Sequence, residues 1–221
     1  MKPSDKVLII GAHGKIGQRL NRKLSSSNIA TPVPFLRNAD QKADFDQLPA
    51  GAVIGDLAES IDTLSDKFRE ADAVVFAAGS GGDSGADKTL EVDLEGAVRA
   101  IKAAEKAGAK RFIMVSAAGA DDRSFWDEVD MKPYYIAKHY ADEALRHSDL
   151  DYTIVRPVQL TDEPGKGQIT VATDASGLEQ EISRDDVAST IVTLLAANQH
   201  TRRTLAISAG DQPISLALGS V

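Results

Sequence analysis

Short apolar runs alternate with longer segments of mixed polarity along the first 156 residues. Consecutive aliphatic residues predict buried strands, whereas apolar residues that recur every three or four positions predict helices. The predicted strands are Lys6–Ile10, Thr31–Leu36, Ala52–Ile54, Ala73–Gly79 with its exit, Arg111–Val115 and Asp151–Pro157. The predicted helices between them are Lys15–Ser27, Ile61–Phe68, Leu90–Gly108 and Tyr134–His147. This alternation predicts an α/β fold, a doubly wound parallel sheet with helices on both faces.

The pattern changes after Pro157. A polar loop is predicted at Leu160–Gly167, a short strand at Gln168–Ala172 and a last strand at Thr204–Ser208. Ser183 precedes two acidic residues and an apolar stripe, which predicts a capped helix start. Since neither an internal repeat nor a domain boundary is visible, residues 1–221 are interpreted as one domain with a small C-terminal substrate region.

Composition and charge limit the kinds of partner that this protein can bind. The net charge of −8 repels phosphate backbones, so nucleic acid is not expected as a partner. Because the chain has no cysteine, redox chemistry requires a bound cofactor, and the four histidines show no metal-ligand spacing. No apolar run approaches the ~20 residues that span a bilayer. We therefore expect a cytoplasmic protein without metal or membrane contact, monomeric or homodimeric, that acts on a small molecule.

A glycine turn follows the first predicted strand. Gly11, Gly14 and Gly17 lie between that strand and an amphipathic helix. Glycine allows an unusual φ and a close approach of the backbone to a phosphate, and the free N–H groups at a helix N-terminus face an anion. We interpret the turn as the pyrophosphate site of a dinucleotide; the alternative is an ordinary tight turn. Further residues of this site are predicted to be His13, Lys15 and Ile16.

The ends of two further strands carry cofactor candidates. Arg37 follows the second strand, where an arginine accommodates the 2′-phosphate of NADP and an acidic residue would bind the 2′-hydroxyl of NAD. Arg37 therefore predicts NADP(H), with NAD possible and a solvated arginine as the alternative reading. The small residues Ala77, Ala78 and Gly79 allow the fourth strand to pass close to a flat ligand.

Three residues are candidates for catalysis. Tyr134 and Lys138 are four positions apart, so they project from one face of a helix. A nearby ammonium favours a phenolate, which makes the tyrosine a plausible proton donor or acceptor. Ser116 ends the fifth strand, where open α/β sheets place their ligands, and its hydroxyl could orient a carbonyl or a hydroxyl of the substrate.

Together these residues resemble the short-chain dehydrogenase/reductase superfamily, specifically its atypical, NmrA-like branch, which includes NAD(P)-binding epimerase and dehydratase-like proteins. The resemblance implies a Rossmann fold that binds NAD(P), with Tyr-x-x-x-Lys as the catalytic signature at Tyr134 and Lys138. It also implies that Asp56, with Leu57 beside it, lies next to the adenine, and that Lys138 contacts the nicotinamide ribose. From the residues alone, Asp56 is also a candidate N-cap for the segment that begins at Ala58, and both roles can hold at once.

The resemblance and the residues lead to two functional hypotheses. The first is an NADP(H)-dependent oxidoreductase or epimerase that acts on a small carbonyl, hydroxyl or flavin-like substrate. The second is a non-catalytic redox sensor that binds NADP(H) and acts through a protein partner. Pocket elements are expected at about residues 121–132 and 158–183, with a further loop at 80–87. Trp126, in the first of these, could stack on a ligand or pack in the core.

Overall fold

The computed structural model describes residues 1–81, 84–197 and 200–220, and its main feature is a nine-stranded sheet. Its strands are β1 (Lys6–Ile10), β2 (Thr31–Leu36), β3 (Val53–Ile54), β4 (Ala73–Phe76), β5 (Arg111–Val115), β6 (Asp151–Pro157), β8 (Gln168–Ala172), β10 (Arg203–Ala209) and β11 (Gln212–Pro213). Within the described residues, their order across the sheet is β11-β8-β10-β6-β5-β4-β1-β2-β3. Two further strands, β7 (Gln159–Thr161) and β9 (Glu181–Ser183), pair with each other in a separate small sheet.

The seven strands from β3 to β10 run parallel, whereas β8 is antiparallel to β10. The parallel order 3-2-1-4-5-6 is that of a doubly wound dinucleotide-binding fold. The predicted α/β class is therefore confirmed. The first six strands lie at their predicted positions because a parallel sheet that is covered on both faces buries its strands as continuous apolar runs.

Helices cover both faces of the sheet. In chain order the described helices are α1 (Lys15–Ser26), α2 (Ile61–Phe68), α3 (Ala86–Lys88), α4 (Ala97–Ala107), α5 (Arg123–Glu128), α6 (Lys132–Arg146), α7 (Arg184–Ala197) and α8 (Ile214–Gly219). α1 packs against α7 on one face, and α2, α4 and α6 pack in sequence on the other. Each face has its own apolar core: Leu20 and Leu24 of α1 belong to the first, Phe68 and Ile101 to the second. These two cores hold the helices against the sheet and so fix the positions of the strand ends.

The segment predicted as one helix from Leu90 to Gly108 has two parts. Thr89–Gly96 forms a π-helical segment, and α4 continues from Ala97 to a left-handed glycine cap at Gly108. Asp93 is fully buried inside the π-helical segment. A π-helical turn rotates the side chains that follow it, and such turns are common at functional sites.

The C-terminal region is more ordered than its polar sequence indicates. The segment predicted as a loop at Leu160–Gly167 begins within β7, and the stretch from 121 to 132 contains the short helix α5. Ser183 accepts a hydrogen bond from the backbone N–H of Asp186, as predicted for the cap of α7. Of the loop at 80–87, residues 82 and 83 lie outside the described residues. None of the helices within the described ranges has the length and apolar character that crossing a bilayer would require.

Candidate functional site

Backbone packing explains two of the three glycines in the turn between β1 and α1. Gly11 has a φ of +82°, and a Cβ there would lie 2.6 Å from the backbone nitrogen of Ala78. A Cβ on Gly17 would lie 2.2 Å from the carbonyl oxygen of Gly11. By contrast, a Cβ on Gly14 would meet only the Gly11 oxygen, at 3.1 Å. Gly11 and Gly17 are therefore required by the fold, whereas the open space at Gly14 is available to a ligand.

The N-terminus of α1 is suited to a diphosphate. Gly14 caps the helix without a side-chain hydrogen bond, and its first turn contains no acidic residue. The free N–H groups and the helix dipole therefore face outward as an anion site. Ala77, Ala78 and Gly79 leave β4 beside this turn, where the Ala77 N–H donates to the Ile10 carbonyl over 2.9 Å. The residues present fit the pyrophosphate of a dinucleotide.

The other residues predicted for the turn differ in which of their groups a ligand could reach. The side chain of His13 pairs with Asp44 at 3.1 Å, and the Lys15 ammonium pairs with Asp162. Ile16 is buried in the apolar core, so it can offer a ligand only its backbone. The side chains of His13 and Lys15 therefore already have carboxylate partners within this structure.

At the edge of the sheet, Arg37 and Asp56 follow β2 and β3. Arg37 is exposed, and among the described residues no hydrogen bond or ion pair involves its guanidinium. Asp56 does not cap a helix, contrary to the alternative reading: its carboxylate accepts from the Ala58 N–H at 2.9 Å, and Ser60 caps α2. Leu57 lies half-buried against Gly96.

One face of α6 carries a row of polar side chains at the carboxyl end of the sheet. Tyr134, Lys138 and Asp142 recur every four residues, so they project along one line. The Lys138 ammonium is buried, lies 5.4 Å from the centre of the Tyr134 ring, and pairs with Asp93 at 3.0 Å. It also donates to the Val115 carbonyl at 3.4 Å. The structure thus brings the tyrosine and the lysine together.

The charge state of Lys138 follows from these neighbours. Burial alone lowers the pKa of a lysine, but the charges of Tyr134 and Asp93 outweigh it and hold the pKa of Lys138 above its usual value. Lys138 is therefore a permanent cation at neutral pH. Asp93 supplies the countercharge and also accepts the Ser80 N–H at 2.9 Å, which connects the π-helical segment to the exit of β4.

Ser116 belongs to a buried ionic network. Its hydroxyl donates to Oδ2 of Asp142 at 2.8 Å, and the same oxygen accepts Nε and Nη2 of Arg156 at 2.9 and 2.7 Å. Arg156 in turn donates through Nη1 to Asp121 at 2.7 Å. Sequence reasoning missed Asp142, Arg156 and Asp121. The available signals were the four-residue spacing after Lys138 and a charged residue within the apolar strand β6.

Asp121 is the outer end of this network. It accepts hydrogen bonds from Arg156, from Arg146 at 3.0 Å and from His139 at 2.9 Å. Partial burial raises the pKa of Asp121, but the hydrogen bond and charge of Arg156, with His139 and Arg146, outweigh it and hold that pKa well below the usual carboxylate value. The pairing of these two carboxylates with the guanidinium groups of Arg146 and Arg156 connects the segment after β5 to α6 and β6.

A cavity of about 1120 Å³ opens between this network and the C-terminal region. Ser116, Tyr134 and Arg156 form part of its polar wall, and Phe125 and Tyr135 form part of its apolar wall. Its walls are drawn from both predicted pocket regions, 121–132 and 158–183. A smaller cavity of about 530 Å³ lies between α1 and the 3₁₀ turn at Ala39–Phe45, away from the tyrosine and the lysine.

Trp126 packs instead of stacking on a ligand. Its side chain is buried, and its indole N–H donates to the Gly119 carbonyl at 3.0 Å. Within the described residues, no group of three or more histidine and acidic side chains is placed to hold a metal ion.

The sequence family described as NAD(P)H-binding matches residues 11–198. This chain belongs to that family. The match begins at the first glycine of the turn and covers every residue of the tyrosine, lysine and serine cluster. The resemblance inferred from the sequence is therefore confirmed: this is an NAD(P)H-binding protein of the reductase and epimerase-like kind.

Several relatives share this NAD(P)H-binding fold over their whole length. An uncharacterized protein of Bacillus subtilis named as the sugar epimerase YhfK is 46% identical over 96% of this chain and 98% of its own. A Bacillus halodurans structure, provisionally assigned as an NAD-dependent epimerase/dehydratase, is 39% identical with a TM-score of 0.90, covering 99% of this chain and 100% of its own. The oxidoreductase ylbE of Lactococcus lactis is 32% identical with a TM-score of 0.86, covering 98% and 96%.

Proposed function

We propose that this protein is an NADP(H)-dependent oxidoreductase or epimerase that acts on a small carbonyl or hydroxyl compound or on a flat, flavin-like one. The observation that carries the proposal is the placement of Tyr134 on the cavity wall above the buried Lys138. The names of the relatives, a sugar epimerase and an oxidoreductase, are in keeping with it.

In this proposal the cofactor is held along the carboxyl ends of the parallel strands. The backbone at Gly11, Gly14 and Gly17 would hold its pyrophosphate, and Ala77–Gly79 would lie along it. Asp56 and Leu57 would lie at the adenine end. When bound, the nicotinamide accepts or supplies a hydride. Family membership shows NAD(P) binding; the preference for NADP rests on Arg37, whose exposed guanidinium has no competing carboxylate partner within the described residues.

Tyr134 would donate or accept the proton at the reacting oxygen. The ammonium of Lys138 lies 5.4 Å from the centre of the Tyr134 ring, and its pairing with Asp93 keeps that positive charge in place. Lys138 donates to the Val115 carbonyl and forms an ion pair with Asp93, so an ammonium N–H would remain for the nicotinamide ribose. Ser116, which directly follows β5, would orient the substrate in the same cavity.

The substrate class follows from the cavity. Phe125 and Tyr135 meet edge to face with ring centres 5.1 Å apart, and Tyr134 continues the row at 5.3 Å from Tyr135. Aromatic walls of this kind bind rings and short apolar groups, while Ser116 supplies a polar contact. We therefore expect a ligand with one flat or apolar side and at least one oxygen function.

The substitution Tyr134→Phe tests the proposal, with Tyr140→Phe as a matched control. Both residues lie on α6, but Tyr140 is half-exposed and does not line the cavity. Turnover of a panel of carbonyl and flavin compounds with NADPH should fall by about 10²-fold or more in Tyr134→Phe, since proton transfer by a side chain contributes that much. NADPH affinity, measured by fluorescence titration, should stay near normal in both variants.

Full activity of Tyr134→Phe would remove that residue from the mechanism. A protein that binds NADPH but turns over none of the panel would favour the second hypothesis, a sensor that acts through a protein partner. A pull-down with NADP⁺ and with NADPH would then be decisive, because a sensor should capture different partners in the two states. We favour an enzyme because a sensor does not need the Tyr134–Lys138 pair.

A further inference from the structure

The hydroxyl of Ser116 has one proton, and the structure shows where it is directed. Ser116 donates to Oδ2 of Asp142 at 2.8 Å. Asp142 has no exposed surface, and the same oxygen accepts two N–H groups of Arg156, at 2.9 and 2.7 Å. Three donors therefore converge on one carboxylate oxygen, behind the wall of the cavity.

This direction does not depend on whether Asp142 is ionised. Burial raises the pKa of Asp142, although Arg156 and Ser116 oppose that effect. A proton added to the carboxyl group would go to Oδ1, which within the described residues has no hydrogen-bond partner. Oδ2 is already surrounded by the Arg156 donors, so it stays an acceptor for Ser116 in either state.

Ser116 therefore presents only lone pairs to the cavity that it lines. Within the described residues no group donates to its oxygen. A hydroxyl whose proton is held elsewhere can accept a hydrogen bond from a ligand but cannot donate one. A carbonyl or ether oxygen facing Ser116 would meet an acceptor, which is unfavourable in a site shielded from water.

The charge of Arg156, which also lines the cavity, is balanced by two carboxylates. Its Nε and Nη2 are directed to Asp142 and its Nη1 to Asp121, so the guanidinium has carboxylate partners on two sides. The cluster therefore acts on a ligand in the cavity through the orientation of Ser116, and it offers the ligand no uncompensated positive charge.

We infer that Asp142 is a positioning residue that fixes Ser116 as a hydrogen-bond acceptor, so that the ligand must carry a donor, such as a hydroxyl, beside the oxygen that faces Tyr134. The substrate class is then an α-hydroxy carbonyl compound or the corresponding vicinal diol. This inference rests on the function proposed above, since it concerns the ligand of the same cavity. It adds no chemical step and decides between the two roles that the sequence left open for Ser116.

Binding of three matched ligands tests the inference without turnover. The protein is saturated with NADP⁺, and calorimetry measures the affinity of α-hydroxyacetophenone, α-methoxyacetophenone and acetophenone. Their aromatic ring and ketone are identical, whereas the substituent is a donor, an acceptor only, or absent. We expect the hydroxy compound to bind about tenfold more tightly than the methoxy compound, the size of one buried hydrogen bond.

Three variants identify the source of that preference. Ser116→Ala should abolish it, and Asp142→Ala should reduce it to about twofold because the hydroxyl is then free to turn toward the ligand. Asp142→Asn should keep most of it, since Arg156 holds the amide oxygen where Oδ2 was. Melting temperature and NADPH affinity are measured for each variant. If Asp142→Ala does not fold, the contrast between Ser116→Ala and Asp142→Asn still decides.

Equal affinities for the hydroxy and methoxy compounds in the wild type would overturn the inference, and so would the absence of binding by all three. Loss of the preference in Asp142→Asn would show that charge, not the orientation of Ser116, produces it. The function proposed above fails independently, through full activity of Tyr134→Phe, so the two failures are distinguishable.

Discussion

Two alanine substitutions in the glycine turn separate the fold from cofactor binding. In Gly17→Ala the new Cβ lies 2.2 Å from the Gly11 carbonyl oxygen and 2.7 Å from Cα of Ala12. Normal carbon–oxygen contacts are about 3.3 Å, so the backbone must move by about 1 Å. Overpacking of this kind costs about 1–3 kcal/mol. For a chain of this size we expect a melting temperature lower by roughly 2–12 °C.

Gly14→Ala is the matched substitution. Its φ of −69° and ψ of 163° suit alanine, and its Cβ meets only the Gly11 oxygen, at 3.1 Å. The loss of a preferred cap residue and the gain from a stiffer unfolded chain are each below about 1 kcal/mol, so stability should change little. The methyl group fills the place where the diphosphate approaches the backbone, so NADPH affinity should fall at least about tenfold.

Urea unfolding without ligand and fluorescence titration with NADPH give the two quantities for each variant. The expected pattern is opposite: Gly17→Ala loses stability, and Gly14→Ala loses affinity while its unfolding midpoint stays near that of the wild type. Wild-type affinity for NADPH in a folded Gly14→Ala protein would refute the pyrophosphate site at this turn. Wild-type stability of Gly17→Ala would refute the packing argument for that glycine.

Three further perturbations follow from the charges. Arg37→Asp should lower the affinity for NADPH about tenfold relative to NADH, because the cation that would face the 2′-phosphate becomes an anion; a wild type that prefers NADH in the same titration would refute this reading. Asp93→Ala leaves the buried Lys138 ammonium without its carboxylate and should cost about 3–5 kcal/mol in urea unfolding, whereas Asp93→Asn should cost less. The pKa of Asp121 is held low in the folded state by Arg156, so its contribution to stability is present above the unfolded value of about 4 and declines as the pH falls below it. The difference in unfolding free energy between wild type and Asp121→Asn should therefore be larger near about pH 7 than near about pH 3, and a pH-independent difference would contradict the assignment.

The sequence alone determined the local features of this protein. Apolar runs such as Lys6–Ile10 placed the strands, because a strand buried on both faces must be apolar throughout. Four-residue spacing placed Tyr134 and Lys138 on one helix face, since that spacing is a property of the helix itself. The glycine turn could be recognised for a similar reason. The residues of the turn themselves determine its backbone conformation and how closely another group can approach it.

Only the tertiary structure decided what these features meet. The hydroxyl of Ser116 donates a hydrogen bond to Asp142, 26 residues away along the chain. Arg156 completes that network from another strand. The Lys138 ammonium is paired with Asp93, which the π-helical segment turns into the core. No periodicity reports such contacts, because they depend on which strand ends lie side by side in the sheet, and that order is set by packing of the whole chain.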